Sequence, residues 1–359
     1  MHHRLSPTST AAAALAGLAL LGPAATPASA APAASPQAQT VFSTGKQVVA
    51  GMTITGDGRV LYVGPGSGKV FVWSPATKQI STFATVTNGR GGYGVVLSPT
   101  FRTDHFVYAY MQVGGHEKVV RWTAAKGVGT AYRVLRDVGP VGSEHTGGVL
   151  RFSPDGKKLF VMVGDGGDPA SSQDPTVDHG KILRLTPLGA PVPENPGFAD
   201  KAIWTTGHRN SIGMVFDPRT EHLWEGENGP ECNDEINSIS AGKNFGWGPA
   251  EVCDGTVAGT NQDGVAPVLP AENLQPTVAP TGMTFCDACG LPLAEGKIVY
   301  GQFKTNSLHV VTFDSTHKVI VGDDLLFQDD DRPIAVESSP ADHAIWFSTA
   351  GGAVKRLTR

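Results

Sequence analysis

Short apolar strands separated by turns recur along the chain, and no segment beyond the first thirty residues has the apolar spacing of a long amphipathic helix. The repeated unit is a turn rich in Gly, Pro, Ser or Asp, followed by a strand of branched and aromatic residues. Six copies occur, at residues 56–63, 98–110, 153–163, 217–226, 294–303 and 338–348. A second apolar strand follows five of them, at residues 68–73, 118–122, 180–185, 307–313 and 352–357.

The copies are separated by about 45 to 75 residues, which suits four-stranded propeller blades that carry loop insertions. The 45 Gly and 26 Pro residues provide the turns that such a fold needs. The pattern therefore predicts an all-β chain, a six-bladed β-propeller over residues 41–359. A β-sandwich whose hairpins resemble one another by accident is the alternative.

Composition and charge narrow the class of partner. The chain has 359 residues, of which 40% are hydrophobic and 17% charged, enough to bury one large core. Its net charge is −5, and no run of Lys and Arg is present, which argues against a nucleic-acid partner. A small molecule is the expected ligand.

The N-terminus reads as an export signal. A weakly basic start, an apolar run and Ala28-Ser29-Ala30 predict a signal peptide over residues 1–30, cleaved near Ala30, followed by a flexible Pro/Ala-rich leader over residues 31–40. No later segment approaches eighteen apolar residues, so no membrane span is predicted. The expected location is secreted, either extracellular or periplasmic.

Four cysteines, an even number, fit an oxidising compartment. We expect disulfides between Cys232 and Cys253 and between Cys286 and Cys289, although four cysteines allow three connectivities. A zinc site is the weaker alternative, because the Cys286-Asp-Ala-Cys289 segment has no second such pair or His partners at zinc-finger spacing.

A propeller binds ligands on the loops over its central channel, so unusual polar residues in loops are the candidates for function. His145 lies among small residues before the third repeat and could act as a general base. Asp165, at the end of the next strand, is an acid that could fix its tautomer.

Two further candidate sets follow in residues 207–237. Arg209 offers a rigid charged donor fork, and Asn210 beside it offers both a donor and an acceptor. Backbone carbonyls of Gly229 and Pro230 could face a calcium ion. A possible second calcium is assigned to the neighbouring acids, Asp234 and Glu235.

Basic residues in later repeats complete the candidates. Lys304 and Arg332, with the hydroxyl of Thr277, would form an anion pocket together with Arg209 if their loops meet over the channel.

The segments GHRN (207–210), GENGPECNDEIN (226–237) and GKNFGW (242–247) together resemble the PQQ-dependent soluble sugar dehydrogenases, the glucose/sorbosone dehydrogenase family. The resemblance covers roughly residues 41–357. It implies a six-bladed propeller that binds pyrroloquinoline quinone above the channel beside calcium. The implied reaction is oxidation of the anomeric hydroxyl of an aldose to a lactone, with electrons then passed to an unknown acceptor.

The resemblance also assigns roles at matching positions. It makes His145 the general base and Asp165 its orienting acid, with Arg209 as a further catalytic residue. The implied quinone contacts are Arg209, Asn210, Thr277, Lys304 and Arg332, and the implied calcium ligands are the carbonyls of Gly229 and Pro230.

The chain departs from the family at two positions. Glucose-oxidising members carry a Gln where residues 88–94 place Gly or Arg90, and Ile334 stands where well-characterised members have a second Arg. Shorter loops imply the broader aldose branch and a monomer or weak dimer. Two other functions stay open, a non-catalytic propeller that binds a glycan or protein and a calcium-dependent hydrolase of the lactonase type.

Overall fold

Twenty-four β-strands form nearly all of the regular structure in residues 35–250, 253 and 263–359, the part of the chain that the computed structural model describes. The exceptions are helix α1 (Phe101–Asp104) and a 3-10 turn (Pro169–Gln173). The predicted signal peptide, with its cleavage site, lies outside the described residues.

The strands form six antiparallel four-stranded sheets, and five sheets use four consecutive strands each. The first is β2 (Gly51–Ile54), β3 (Val60–Val63), β4 (Lys69–Ser74) and β5 (Gln79–Thr85), and the second is β6 (Gly89–Leu97), β7 (Phe106–Val113), β8 (His116–Ala125) and β9 (Val128–Pro140). The third is β10 (Gly147–Phe152), β11 (Leu159–Val163), β12 (Lys181–Leu185) and β13 (Ile203–Thr206). The fourth is β14 (Ser211–Asp217), β15 (His222–Glu227), β16 (Asp234–Ile239) and β17 (Glu272–Leu274), and the fifth is β18 (Pro280–Phe285), β19 (Ile298–Gln302), β20 (Ser307–Phe313) and β21 (Ile320–Gln328).

The sixth sheet joins the two ends of the described chain. It contains β22 (Pro333–Ser338), β23 (Ile345–Thr349), β24 (Ala353–Thr358) and, as its outer strand, β1 (Gln37–Ser43). Strand β1 pairs with β24 from Gln37 opposite Thr358 to Ser43 opposite Ala353. The predicted leader over residues 31–40 is therefore wrong at its C-terminal end, because residues 37–40 gain backbone hydrogen bonds in this strand.

The six sheets are the blades of a propeller, which confirms the predicted fold and excludes the sandwich. The first strand of each blade contacts the first strand of the next, and β2 contacts β22, which closes the ring. The described core consists of six hydrophobic clusters, and each lies between two adjacent blades. Leu61 of β3 packs in one cluster with Val107 of β7, and Tyr62 packs in another with Trp346 of β23. Each blade is therefore stabilised by both of its neighbours.

A charged pair lies close to the central axis. Arg151 of β10 donates from Nη2 to Glu337 Oε1 of β22 over 2.6 Å, and from Nε to the Met214 carbonyl of β14 over 2.9 Å. Its Nη2 also lies 3.2 Å from the Met283 carbonyl of β18. One side chain thus connects four blades.

The predicted repeats correspond to the observed blades. Each of the six copies overlaps the second strand of a blade, from β3 to β23, and each of the five partner segments overlaps a third strand. The third strand that the pattern missed is β16 of the fourth blade. Its sequence, DEINSI, is largely polar although most of its residues are buried. Hydrophobic periodicity cannot detect such a strand.

Both predicted disulfides are present, Cys232–Cys253 and Cys286–Cys289, with Cα separations of 5.7 and 5.3 Å. The zinc alternative is therefore wrong. None of the helices in the described residues is long and apolar enough to cross a membrane.

Candidate active site

Blade geometry brings the candidate residues to one face of the propeller. In an antiparallel blade, the start of the first strand lies beside the end of the second, as in the pairs Gly147 with Val163 and Ser211 with Glu227. The same holds for Pro280 with Gln302 and for Pro333 with Thr349. Four candidates precede the first strand of a blade, namely His145, Arg209, Thr277 and Arg332. Three others follow the second strand of a blade, namely Asp165, Gly229 and Lys304. The loops that carry them therefore share one face.

His145 and Asp165 form a direct pair. His145 Nδ1 lies 2.8 Å from Asp165 Oδ1, the His side chain is 13% exposed and the Asp side chain 1%. The two loops touch at Gly164, where an added Cβ would lie 1.7 Å from the His145 carbonyl oxygen, so that only glycine fits. The Gly167 N–H donates to the same Asp165 oxygen over 2.8 Å. The acid is thus fixed where it can orient the imidazole.

Arg209 is held by the fourth blade. Its backbone N–H donates to Glu227 Oε1 over 2.7 Å, and its Nη1 donates to the Asn228 carbonyl over 3.0 Å. Asn228 also donates from its backbone and side chain to the Asn210 carbonyl, over 3.2 and 3.0 Å. The buried Arg209 Nε has no hydrogen-bond partner among the described residues. An N–H group in this state suits an acceptor on a bound ligand.

A buried ionic cluster holds the backbone of Arg209 in place. His208 Nδ1 lies 3.0 Å from Glu225 Oε1 and 3.1 Å from Glu227 Oε2, and all three residues are buried. Burial alone would lower the pKa of His208, but the carboxylates of Glu225 and Glu227 raise it to about 10. His208 is therefore protonated at neutral pH, and its charge helps to hold Glu227 against the Arg209 backbone.

Gly229 and Pro230 form a tight loop between β15 and β16. A Cβ added at Gly229 would lie 2.1 Å from the Cys232 carbonyl oxygen, so the loop requires glycine. Asp234 Oδ1 accepts from the Gly229 N–H over 3.0 Å, and Oδ2 accepts from the N–H groups of Val278 and Ala279 over 2.6 Å each. Asp234 thus fastens this loop to the loop before β18.

Asp234 and Glu235, the residues of the predicted second calcium, are not brought together by the strand that carries them. They are consecutive in β16, so their side chains point to opposite faces of the sheet. Glu235 Oε2 accepts from Asn237 Nδ2 over 3.1 Å, whereas Asp234 binds backbone N–H groups. The second calcium stays a prediction.

The three remaining candidates form one group at the fifth and sixth blades. Lys304 Nζ donates to Thr277 Oγ1, and its backbone N–H donates to the Val278 carbonyl over 2.9 Å. The Arg332 guanidinium lies 4.9 Å from the ring centroid of Phe303, the residue before Lys304. Both basic side chains are exposed, as an anion-binding surface requires. The structure therefore brings these three candidates together, and their role as an anion pocket stays a prediction.

The Glucose / Sorbosone dehydrogenase family model matches residues 39–357, which is nearly all of the propeller. The chain belongs to the glucose/sorbosone dehydrogenase family. This confirms the family to which the sequence segments pointed.

Individual relatives agree with this membership. The chain is 31% identical over 255 residues to the aldose sugar dehydrogenase YliI of Escherichia coli, with 63% of this chain and 66% of that protein covered. It is 28% identical over 230 residues to quinoprotein glucose dehydrogenase B of Acinetobacter calcoaceticus, with 55% and 47% covered. An uncharacterized Synechocystis protein, slr1608, is 29% identical over 274 residues, with 68% of this chain and 65% of that protein covered. The chain thus spans just under two thirds of the length of YliI and of slr1608, and about half of the length of quinoprotein glucose dehydrogenase B.

A solved structure shares the fold. The PQQ-bound form of the aldose sugar dehydrogenase from Streptomyces coelicolor superposes with a TM-score of 0.75 at 23% identity, covering 91% of this chain and 99% of that one. At this identity the likeness concerns the propeller itself.

The two departures from other family members both lie in first strands. Arg90 is exposed in β6, and Ile334 is half-buried in β22, two residues after Arg332. Ile334 therefore adds no charge beside Arg332.

Three residues of the site were missed in the sequence. Glu227 and Asn228 hold Arg209, and Trp247 donates from Nε1 to Asp165 Oδ2 over 2.8 Å. Glu227 and Asn228 lie in the segment 226–237 and Trp247 in the segment 242–247, so proximity to family motifs was the available signal. Their contacts depend on the tertiary fold.

Proposed function

We propose that this family member is an exported quinoprotein oxidoreductase, which oxidises the anomeric hydroxyl of an aldose to a lactone with pyrroloquinoline quinone and calcium. The observation that carries the proposal is the His145–Asp165 pair, which shares one face with Arg209, Lys304 and Arg332. The names of the aldose sugar dehydrogenase and quinoprotein relatives support the same class of substrate and cofactor.

His145 would act as the general base. Asp165 Oδ1 would accept a hydrogen bond from the Nδ1–H group of His145, so Nε2 keeps its lone pair for the proton of the sugar hydroxyl. Glu144 Oε2 lies 3.7 Å from His145 Nε2. The Glu144 side chain is 64% exposed and can move aside for substrate. Removal of the hydroxyl proton by His145 favours departure of the anomeric hydrogen as hydride, which leaves the lactone carbonyl.

The cationic and amide groups would hold the quinone. Arg209 Nε, which is buried and has no partner in the described part of the chain, and the exposed Lys304 and Arg332 are donors suited to quinone oxygens and carboxylates. The residues present therefore fit this cofactor. Asn210 and Thr277 would add neutral hydrogen bonds. Pyrroloquinoline quinone, when bound, supplies the hydride acceptor of the reaction.

Calcium would bind at the backbone carbonyls of Gly229 and Pro230. Carbonyl oxygens are suitable ligands for this hard cation, and the hydrogen bonds of Asp234 hold the loop in a defined conformation. Export fits the two disulfides, which persist in oxidising compartments. The electron acceptor is expected to be a separate molecule that meets the reduced enzyme.

The first test is a titration of the purified, metal-stripped protein with pyrroloquinoline quinone and calcium, followed by dye reduction with a panel of aldoses. Stoichiometric binding with sugar-dependent reduction is the expected result. A folded protein that fails to bind micromolar quinone would reject the enzyme and favour a propeller that binds a glycan or protein.

The calcium assignment has its own control. Gly229→Ala should weaken calcium-dependent quinone binding, because the added Cβ collides with the Cys232 carbonyl. Gly197→Ala, where an added Cβ meets nothing within 4 Å, should bind as the wild type does. Equal binding by both variants would place the calcium elsewhere.

A further inference from the structure

The segment GKNFGW (242–247) marks the family but has no assigned role, and its last residue reaches the catalytic pair. Trp247 is 2% exposed, and its indole Nε1 donates to Asp165 Oδ2 over 2.8 Å. The other oxygen, Oδ1, accepts from His145 Nδ1 and from the Gly167 N–H, each over 2.8 Å. Both oxygens of the buried Asp165 carboxylate therefore accept hydrogen bonds, and the described donor to Oδ2 is the Trp247 indole.

The backbone of Trp247 is fixed by hydrogen bonds on both sides. Its N–H donates to the Gly207 carbonyl over 3.0 Å, and its carbonyl accepts from Gln173 Nε2 over 2.6 Å. Asn244 Oδ1 caps the same turn by accepting from the Gly246 N–H over 2.9 Å. The indole is thus presented from a rigid turn, so it can restrain a side chain of another blade.

The same indole borders the candidate quinone site. The guanidinium carbon of Arg209 lies 5.2 Å from the centroid of the Trp247 ring, within the range of a cation–π contact. Trp247 therefore contacts both the acid behind the base and the cation that would face the quinone.

We propose that Trp247 is a positioning residue for this reaction, whose indole N–H holds the Asp165 carboxylate in the orientation that aligns His145. The proposal rests on the proposed role of His145 as the base. A purely structural role is the competing explanation, since a buried tryptophan also fills space.

Loss of the indole N–H has a defined consequence. Asp165 Oδ2 would lose its donor, so the carboxylate could rotate and would bind a proton or imidazolium more strongly. His145 would then become protonated at a higher pH and would be less often available as a base. The charged groups that face this pair are Glu144, 3.7 Å from His145 Nε2, and Arg209, whose guanidinium carbon lies 5.2 Å from the Trp247 ring centroid.

The variant Trp247→Phe removes the N–H and keeps an aromatic ring. We expect kcat to fall about tenfold to a hundredfold, as is usual for residues that support catalytic groups, with KM changed less than about twofold. The acid limb of the kcat/KM profile should move to higher pH. In an Asp165→Asn background, Trp247→Phe should have little further effect, because the two residues act through one contact.

Trp224→Phe is the matched control. Trp224 is also buried, in β15, but its Nε1 has no hydrogen-bond partner among the described residues, so this change removes packing without removing a bond. If Trp247→Phe and Trp224→Phe have the same kcat and the same pH profile, the positioning role is wrong.

A measurement without turnover separates this proposal from the proposed function. Nitrogen-15 labelling of the histidine rings follows the titration of His145 in the cofactor-free protein. We expect the titration to move to higher pH in Trp247→Phe and not in Trp224→Phe, even if the wild type proves inactive with quinone. An unmoved titration would overturn the proposal.

The wild-type protein offers a readout that does not depend on the folding of a variant. The indole N–H signal of Trp247 should shift as His145 titrates, because both groups bind the same carboxylate. An indole signal that is constant through that titration would also overturn the proposal.

Discussion

The backbone N–H of Asp165 donates a hydrogen bond of 2.8 Å to the carbonyl oxygen of Arg209. This bond joins the loop after β11 in the third blade to the loop before β14 in the fourth. The candidate base and the candidate quinone contact are therefore set relative to each other by main-chain atoms. Substitution of the Asp165 or the Arg209 side chain should therefore change the reaction rate more than it changes the relative position of the two loops.

His145→Ala should lower kcat with saturating quinone by about a hundredfold to ten-thousandfold, because general-base catalysis usually contributes this much. Quinone affinity should be nearly unchanged, since the proposed cofactor contacts are other residues. Steady-state dye reduction and a binding titration together measure the two quantities. His309→Ala is the control, because His309 also pairs with an acid, Asp323 at 3.1 Å, but within the outer strands of the fifth blade. A kcat for His145→Ala close to that of this control would assign the base to another group.

Lys304→Ala and Arg332→Ala should each weaken quinone binding by about 1.5 to 3 kcal/mol, the usual contribution of a hydrogen bond to a charged group. The loss for Lys304 includes its contact with Thr277 Oγ1. Calorimetric titration with quinone at constant calcium measures the change. Lys318→Ala removes an exposed lysine between β20 and β21, at the opposite end of the fifth blade, and should leave affinity unchanged. Wild-type affinity in both site variants would place the anion pocket elsewhere.

The two disulfides should differ in their contribution to stability. Cys232–Cys253 closes a loop with a sequence separation of 21, and Cys286–Cys289 one with a separation of 3. Loop entropy then predicts a loss of about 3 kcal/mol for the double serine variant of the first and about 2 kcal/mol for that of the second. Urea unfolding of the two variants measures the difference. Only the double serine variant at Cys232 and Cys253 should also weaken calcium binding, since Cys232 follows Pro230 by two residues. The opposite ranking in calcium affinity would contradict the assignment of that loop to calcium.

Lys181 should make stability depend on pH. Burial lowers the pKa of Lys181 to about 7, and its Nζ donates to the carbonyls of Ser171 and His179 over 2.6 and 2.7 Å. Between pH 7 and the ordinary lysine pKa of about 10.4, the unfolded chain binds one proton more than the folded chain. Stability from this residue therefore rises with pH through that window, by at most about 1.4 kcal/mol per pH unit, and the penalty is complete below pH 7.

The test compares Lys181→Met with wild type in urea at pH 7 and pH 9.5. The free energy of unfolding of the variant, relative to wild type, should be lower at pH 9.5 than at pH 7, because only wild type gains stability on going to high pH. Lys157→Met, which replaces an exposed lysine, should give the same difference at both values. A pH-independent difference for Lys181→Met would mean that Lys181 stays charged in the folded protein.

Much of the fold was predictable because its signals are local. Turn residues and alternating apolar residues mark a strand within a few positions, and six similar copies indicate six similar sheets. Strand β16 escaped detection because its polar residues are buried by other polar residues, such as Glu225 beside Asn237. Strand β1 escaped because its partner, β24, lies at the other end of the chain.

The candidate site was predictable only in part. Unusual polar residues in loops, together with the family resemblance, indicated His145, Asp165, Arg209 and Lys304, and the loops that carry them lie on one face. For Asp234 and Glu235, adjacency in sequence suggested a shared ion, but the sequence did not show that the two side chains face opposite sides of β16.

The sequence by itself determined the strand-rich blades, the even number of cysteines and the candidate residues for chemistry, because these depend on local pattern and composition. Only the tertiary structure decided which atoms meet. Trp247 binds Asp165 across 82 residues, and β1 pairs with β24 from the other end of the described chain. Such contacts depend on how the blades pack around the axis, and no local pattern encodes that arrangement.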